Sequence, residues 1–396
     1  MLGPTWEQLF ARDAAAGAAA PVAWWRTRRE ALLTALGSRE AAYVYDLASV
    51  ESAARALVAL RSVSRVWYAM KANSHPELLR RIHAAGIGLE CVSRGEIEHA
   101  GRHVPGILPQ DILYTPNFAS REEYAWALGA GVRLTIDSSY PLRHWSELFR
   151  GRDLYVRVDR GTGVGHHQHV RTAGAHAKFG VPIDELASLA GLAQAAGARI
   201  VGLHAHPGSG VFDVESWRQT ARLLAAEAAR FPDLRSINVG GGLGVPDRSD
   251  RPPLDLARLD AVLGEVRAAN PGIELWLEPG RYLVAAAGVL LARVTQTKEK
   301  GEVRYVGVAT GMNSLIRPAL YGAYHEIVNL TRLDTPATEV VNVVGPICES
   351  ADVLGHDRLL PPTVEGDVLL LATAGAYGHV MSSSYNLRAP AEELLL

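Results

Sequence analysis

The feature of this sequence that most constrains its fold is the alternation of two kinds of segment between residues 65 and 278. Eight short runs rich in β-branched and aromatic residues are separated by segments with apolar residues at three- and four-residue spacing, several of which end at glycine. The first pattern is typical of buried strands and the second of amphipathic helices. The predicted strands are 65–70, 87–92, 111–115, 132–137, 154–159, 200–206, 236–240 and 273–278.

Eight strand–helix units predict an α/β fold, a (β/α)8 TIM barrel, with a doubly wound open sheet as the alternative. After about residue 283 the pattern changes, because "GVLLARVTQTKEKGEVRYVGVAT" alternates with period two on both sides of a Lys-Gly turn. Such alternation predicts a β-hairpin. We therefore predict an N-terminal segment, 1–42, that packs with a β domain, a barrel over 43–283, and a mainly β C-terminal domain over 284–396.

Composition argues against several kinds of partner. The 396 residues carry a formal net charge of -2, so there is no basic field for nucleic acid or an anionic membrane surface. The longest apolar run, "YLVAAAGVLLARV", is too short to cross a bilayer. Only two cysteines are present, and the first twenty residues do not have the pattern of a signal peptide. We therefore expect a cytoplasmic protein with no nucleic-acid or membrane partner.

Polar residues stand where the predicted strands end. In a barrel, chemistry takes place at the C-terminal ends of the strands. The strands and the polar residues are identified independently, and they agree on a site at this end. In chain order the residues are Lys71, Glu90, Arg157, His206, Gly240, Gly241, Gly242 and Glu278.

Lys71 directly follows the apolar run "VWYAM". Apolar surroundings lower the pKa of an amine and leave more of it as the free nucleophile, so one interpretation is a lysine that forms a Schiff base. The alternative is a lysine that only marks where a strand meets solvent.

The segments "HPGSG" and "VGGGLG" predict a phosphate site beside a planar ring. Three glycines after a strand let backbone N–H groups approach a phosphate, with help from a helix that begins after them. His206 offers a flat ring for stacking on a heterocycle, and Ser209 offers a hydroxyl for its phosphate. The alternatives are a tight turn for the glycines and an ordinary core histidine for His206.

The segment "LWLEPGRYL" places Glu278 at the end of the eighth strand and Arg281 three residues later. A carboxylate opposite a pyridine nitrogen keeps that nitrogen protonated, which makes the ring an electron sink. Arg281 is suited to bind a substrate carboxylate with two hydrogen bonds. The alternative is an internal salt bridge between these two residues.

A histidine-rich segment lies between the fifth and sixth predicted strands. Its histidines are surrounded by glycine, match no closed zinc pattern and have no cysteine nearby, so we predict a loop over the barrel mouth and no metal. The histidines are His166, His167, His169 and His176.

Taken together, these motifs resemble the barrel-type pyridoxal-phosphate decarboxylases, with an alanine racemase-like fold, that act on diaminopimelate, ornithine and arginine. "YAMKAN", "HPGSG", "GGG" and "EPGR" are similar to the family's cofactor motifs, and "GPICESAD" and "GAYGHVMSSSYN" to its C-terminal signatures. The six motifs run in family order from about residue 43 to 386. Some relatives are fused to aspartate kinase, so the sequence leaves open whether this chain is a domain of a larger polypeptide.

The resemblance implies pyridoxal 5'-phosphate as the cofactor. Lys71 would hold it covalently, His206 would stack on its ring, and Glu278 would contact the ring nitrogen. Glu90 and Arg157 complete the expected cofactor site. The phosphate would be bound by Ser209, Gly240, Gly241, Gly242 and Tyr377.

The resemblance also implies a substrate site and a homodimer with shared active sites. Arg281, Arg317 and Tyr321 would hold the distal carboxylate of the substrate, and Glu349 its distal amino group. Cys348 would enter from a neighbouring subunit and protonate the product. The alternative for Cys348 is the usual one for a free cysteine, a small buried hydrophobic residue.

A site that binds both a distal carboxylate and a distal amino group favours meso-2,6-diaminopimelate as the substrate. The resemblance implies that this substrate is decarboxylated to L-lysine and carbon dioxide. A decarboxylase of ornithine, arginine, lysine or a carboxylated polyamine is the alternative among enzymes. "CES" and "EPGR" argue against an amino-acid racemase. A homologue that binds the cofactor without catalysis is the alternative from another class.

Overall fold

The computed structural model describes residues 23–161, 178–248 and 251–396 and the backbone of residues 164 and 165. The described residues form two compact units. The barrel unit comprises Leu47–Gly244 and Leu254–Val284, and the β unit comprises the chain up to Asp46 together with Val245–Pro253 and Ala285–Leu396. Across these described residues, no helix is both long enough and apolar enough to span a bilayer.

The strands in chain order are β1 (Ala41–Tyr45), β2 (Arg65–Ala69), β3 (Gly88–Cys91), β4 (Ile112–Tyr114), β5 (Arg133–Ile136), β6 (Asp153–Asp159), β7 (Val164–Gly165), β8 (Val181–Pro182), β9 (Arg199–His204), β10 (Gly208–Ser209), β11 (Ser236–Asn238), β12 (Glu274–Leu277), β13 (Gly288–Lys300), β14 (Val303–Val308), β15 (Ile327–Asn329), β16 (Glu339–Val344), β17 (Val353–Leu360), β18 (Val368–Leu371) and β19 (Glu392–Leu395). The α-helices are α1 (Arg29–Leu36), α2 (Leu47–Val58), α3 (Pro76–Ala84), α4 (Arg94–His103), α5 (Arg121–Ala130), α6 (Tyr140–His144), α7 (Leu186–Ala196), α8 (Glu215–Ala226), α9 (Leu256–Ala269), α10 (Arg281–Val284) and α11 (Arg317–Tyr321).

Eight parallel strands close into a ring in the barrel unit. In order around the ring they are β2, β3, β4, β5, β6, β9, β11 and β12. β12 then pairs with β2, with Leu277 opposite Val66, so the sheet has no open edge. The predicted (β/α)8 barrel is confirmed, and the open-sheet alternative is wrong.

The helices around the barrel begin and end where the sequence places capping residues. Ser93 and Ser120 each accept a hydrogen bond from a backbone N–H in the first turn of α4 and α5. Gly131 and Gly197 follow α5 and α7 in the left-handed conformation that glycine adopts without strain. These signals explain why the predicted helical segments form as expected.

Large side chains fill the interior of the barrel. Trp67, Leu113, Tyr155, Val201 and Trp276 form one buried cluster although they come from five different strands. Residues of strands that are not neighbours can meet only inside the ring, so this cluster is the barrel core. It leaves no pore below the candidate site.

The β unit is a mixed sheet of eight strands. β13 and β14 form the predicted hairpin around Gly301, and β13 also pairs with β1 and β18. Trp25, Leu32 and Leu36 pack on this sheet in one hydrophobic cluster with its strand residues. Residues 43–46 and 245–253 therefore group with the β unit, whereas the predicted 43–283 span assigns them to the barrel.

Candidate active site

Lys71 lies in a single helical turn, Met70–Ala72, that begins where β2 ends. Its Nζ is 2.8 Å from Oε2 of Glu90, and its side chain is 43% exposed. Glu90 lies on β3, is buried, and its Oε1 accepts a hydrogen bond from Thr115. The amine therefore lies beside a buried carboxylate and not in the wholly apolar surroundings that the sequence predicts.

The ring of His206 follows β9 and is fixed in one tautomer. The backbone N–H of Gly241 donates to its Nδ1 over 3.2 Å, which leaves the ring hydrogen on Nε2. Burial, together with the charges of Arg157 and Lys71, lowers the pKa of His206 to about 3. The imidazole is consequently a neutral flat ring at physiological pH.

Glu278 is held from both sides by two residues that the sequence motifs do not mark. Asn238 Nδ2 donates to its Oε1 over 2.6 Å, and His204 Nε2 lies 3.2 Å from its Oε2. Burial acts to raise the pKa of Glu278, but His204 and Lys71 are the main groups that outweigh it and lower that pKa to about 2. Glu278 is therefore an ionised carboxylate inside the protein.

His204 and Asn238 share one sequence feature that could have identified them. Each is a polar residue on a buried strand, one on β9 and one on β11, directly beside the predicted motifs. Asn238 also accepts a hydrogen bond from the N–H of Gly240 through Oδ1, at 3.0 Å. A buried amide that bonds both the loop and Glu278 couples their positions.

The three glycines form a tight loop that only glycine can occupy. Gly240 and Gly242 have φ of +69° and +86°, and a Cβ at Gly241 or Gly242 would collide with a backbone carbonyl oxygen of Glu278 or Gly208. The N–H groups of Gly240 and Gly241 are bonded inside the protein, whereas the N–H of Gly242 has no partner in the described part of the chain.

The predicted helix start after the glycines is wrong. The chain continues in extended form, with Val211 bridged to Leu243, and the next helix of the described residues begins at Leu256. After Gly244 the chain leaves the barrel unit for the β unit, so no helix begins at the loop. A helix dipole does not contribute at this loop.

Arg157, Ser209 and Arg281 complete the residues predicted in the barrel unit. The guanidinium of Arg157 lies 4.4 Å from the ring centroid of Phe179. Burial lowers the pKa of Arg157, and the negative charges of Glu278 and other carboxylates oppose that change. Arg281 Nη2 donates to Ser209 Oγ over 3.5 Å. These side chains surround the same strand ends as Lys71 and Glu278.

Arg317 and Tyr321 begin and end helix α11 in the β unit. Arg317 Nη1 lies 3.3 Å from Nε2 of His325, a buried residue whose Nδ1 is 2.9 Å from the carbonyl oxygen of Ala372. A carbonyl only accepts, so Nδ1 carries the hydrogen and Nε2 accepts from Arg317. His325 is a second contact that the sequence motifs do not mark.

Cys348 and Glu349 lie in an exposed segment of the β unit. The interpretation of Cys348 as a buried hydrophobic residue is therefore wrong for this chain. Its N–H donates to Oδ1 of Asn386 over 2.7 Å, and Asn386 has a left-handed backbone with φ of +56°. Tyr377, also in the β unit, has the same φ and is half-buried.

The histidine-rich segment lies outside the described residues, so the structure describes none of its four histidines. Among the residues that are described, no group of three histidine, cysteine, aspartate or glutamate side chains is placed to hold a metal ion.

The fold and this site define a class, a barrel enzyme of the kind that uses pyridoxal phosphate. Residues 47–285 match the family described as "Pyridoxal-dependent decarboxylase, pyridoxal binding domain", and the chain belongs to this family. The predicted family, the enzyme class and the pyridoxal 5'-phosphate cofactor are confirmed.

The chain is also similar to individual proteins over most of its length. The chain is 39% identical to the diaminopimelate decarboxylase of Methanothermobacter thermautotrophicus over 84% of this chain and 80% of that protein. It is 36% identical to that of Deinococcus radiodurans over 89% of each. A crystal structure of diaminopimelate decarboxylase from Helicobacter pylori complexed with L-lysine is 29% identical, with a TM-score of 0.84 over 93% of each chain.

The barrel residues fit pyridoxal phosphate. Glu278 is ionised and buried, as a partner for a protonated ring nitrogen must be, and His206 is neutral and flat. The glycine loop excludes side chains and presents the N–H of Gly242. Lys71 provides an amine that solvent and a ligand can reach.

Proposed function

We propose that this chain decarboxylates meso-2,6-diaminopimelate to L-lysine and carbon dioxide, the last step of lysine biosynthesis. The observation that carries the proposal is the similarity to several diaminopimelate decarboxylases, at 31–39% identity over most of the chain, in a protein whose barrel mouth fits the cofactor. Relatives that act on lysine or ornithine are only 21% identical and support the fold alone.

Pyridoxal phosphate, when bound, supplies a sink for the electron pair that remains after carbon dioxide leaves. We assign its covalent attachment to Lys71, the contact with its ring nitrogen to Glu278, and the stacking contact to His206. Glu90 pairs with the lysine ammonium, 2.8 Å away, and so orients Lys71 at the mouth. Because Glu278 stays ionised, it favours a proton on the ring nitrogen.

The other cofactor contacts that we propose bind the phosphate and neutralise its charge. Ser209 supplies a hydroxyl and the glycine loop a surface free of side chains. Arg157 supplies a buried positive charge near Glu278 and Glu90. The residues assigned to the phosphate are Ser209, Gly240, Gly241, Gly242 and Tyr377.

Substrate selection in this proposal depends on the end of the molecule that does not react. Arg281, Arg317 and Tyr321 bind the distal carboxylate, and Glu349 binds the distal amino group. A site built to bond a polar group rejects an analogue that lacks it, because its own polar groups stay unpaired. This reasoning favours diaminopimelate over ornithine, which has no distal carboxylate.

We further propose a homodimer in which Cys348 of one subunit protonates the product in the site of the other. Support comes from the exposure of the Cys348 and Glu349 segment and of Leu387, which is 97% exposed and follows Asn386, the residue that accepts from the N–H of Cys348. A cytoplasmic location is proposed as well, since both cysteines of the chain are free thiols.

The test is an assay of carbon dioxide release by the purified chain with added pyridoxal phosphate. We expect turnover of meso-diaminopimelate and at least about hundredfold lower kcat/KM with ornithine, arginine or lysine. Brisk turnover of one of these three, without turnover of diaminopimelate, would contradict the proposed substrate. Cofactor binding without any turnover would favour the non-catalytic alternative.

A further inference from the structure

The barrel has a cavity at the end opposite to Lys71. Its volume is about 530 Å³, and its lining includes Arg65 and Arg133, the first residues of β2 and β5. The candidate active site follows the C-terminal ends of the strands, where barrels carry their chemistry. This cavity, at the N-terminal ends, is separated from that site by the buried barrel core.

Positive charge exceeds negative charge in the cavity lining. Four arginines face two carboxylates, Asp153 and Glu274. Asp153 is already shared between Arg199 and Arg235, at 2.6 and 2.5 Å. Glu274 accepts a hydrogen bond of 2.8 Å from the indole of Trp276. The carboxylates are therefore engaged, and an excess of cationic groups remains.

Two guanidinium groups of the lining, those of Arg133 and Arg152, have no carboxylate within ion-pair distance in the part of the chain that is described. Arg133 is half-buried, and its donors reach only neutral acceptors, the hydroxyl of Tyr155 at 2.7 Å and the carbonyl of Gln110 at 3.0 Å. Because the Tyr155 oxygen accepts from Arg133, its own hydrogen is available for an acceptor in the cavity. A half-buried cation is stabilised by a counter-ion.

Aromatic rings lie directly against this charge. The guanidinium carbon of Arg133 is 5.8 Å from the ring centroid of Trp67 and 5.5 Å from that of Trp276. The rings of Tyr155 and Trp276 are 5.3 Å apart at their centroids. The cavity therefore combines cationic groups with an aromatic surface, which suits a small molecule that has an anionic group and an apolar part.

We propose that this cavity binds a small organic anion. Its carboxylate or phosphate is held by Arg133, Arg152 and the hydroxyl of Tyr155, and its apolar part rests on Trp276. The site is distinct from the candidate active site, because the barrel core separates the two. Binding here is independent of the reaction that the chain catalyses.

The test uses the full chain saturated with pyridoxal phosphate, so that the phosphate-binding residues of the active site are filled. Benzoate and phenyl phosphate serve as carboxylate and phosphate probes, and binding is followed by calorimetry and by tryptophan fluorescence. We expect saturable binding of at least one probe, one molecule per chain, weakened at least about tenfold by Arg152→Gln. Arg258→Gln, an exposed arginine of α9 outside the cavity, is the matched control.

Tighter binding of benzoate would assign the ligand to the carboxylates, and tighter binding of phenyl phosphate would assign it to the phosphates. Arg133→Gln is a second variant, expected to weaken binding and to change the fluorescence response. Arg152 is exposed and makes no ion pair in the described structure, so its replacement leaves the fold intact, which circular dichroism checks. Absence of saturable binding for both probes, or equal affinity in the Arg152 and Arg258 variants, would overturn the proposal.

Discussion

Glu278 has the properties of a cofactor contact because of its neighbours. A carboxylate alone in this buried position would tend to take up a proton. The amide of Asn238 and the ring of His204 contact its two oxygens, and the charge of Lys71 acts in the same direction. The motif around Glu278 identifies the residue, but residues outside that motif, His204 and Lys71 among them, lower its pKa.

His325 provides the sharpest prediction at the residue scale. Its Nε2 accepts from Arg317, so His325→Phe removes one hydrogen bond that orients that guanidinium. If Arg317 binds the distal carboxylate, inhibition by L-lysine should weaken about tenfold or more, because a hydrogen bond to a charged group is worth about 1.5–3 kcal/mol. Inhibition by cadaverine, which has no carboxylate, should change little. The measurements are the inhibition constants of L-lysine and cadaverine, together with separate values of KM and kcat for the variant.

His325→Gln is the matched control, since its amide oxygen can accept in place of Nε2 and should restore part of the affinity for L-lysine. Equal weakening of L-lysine and cadaverine would show that His325 supports the fold only.

At the scale of the elements, the close approach of β6 and β9 depends on a glycine. A Cβ at Gly202 would collide with the ring of Tyr155 and lie 2.8 Å from Oγ of Ser236. Overpacking of this kind costs about 1–3 kcal/mol, so Gly202→Ala should lower the free energy of unfolding by that amount. Urea denaturation followed by tryptophan fluorescence measures it.

The control for this variant is Gly191→Ala, in helix α7, where a Cβ would meet nothing within 4 Å. Alanine is favoured over glycine inside a helix, so this variant should be neutral or more stable by about 0.5–1 kcal/mol. If both variants had the same stability as the parent, the packing described for the barrel interior would be incorrect.

The strands of the barrel could be predicted from the sequence because most of their residues are buried, which makes each strand rich in apolar residues. The predicted ends differ from the observed ones by a residue or two, as for β11, predicted as 236–240 and observed as Ser236–Asn238. The helix expected after the glycines could not be excluded in this way, because the chain crosses to the other unit there. A local sequence pattern does not indicate where the chain passes from one unit to the other.

The site was predictable only in part, for a related reason. Lys71, His206 and Glu278 lie in motifs at strand ends, and the barrel topology brings strand ends together. His204 and Asn238 were missed because a polar residue on a buried strand has no local signature of its partner. Their roles depend on contacts between β9, β11 and the loop after β12, which follow from the closed sheet.

At the scale of the whole molecule, the predicted residues are divided between the two compact units. The barrel unit carries Lys71, Glu278 and the glycine loop, while the β unit carries Arg317 and Cys348. The barrel contacts are supported by distances and charges within one unit. The assignments in the β unit rest on the resemblance of the motifs, and the His325 variants test the assignment of Arg317.

The most direct test of the central claim is reduction of the cofactor-loaded chain with borohydride, followed by digestion and mass spectrometry. We predict a pyridoxyl group fixed on Nζ of Lys71, and a colourless chain without turnover when Lys71→Ala is made. A pyridoxyl group on another lysine, or full turnover by the Lys71→Ala variant, would contradict it.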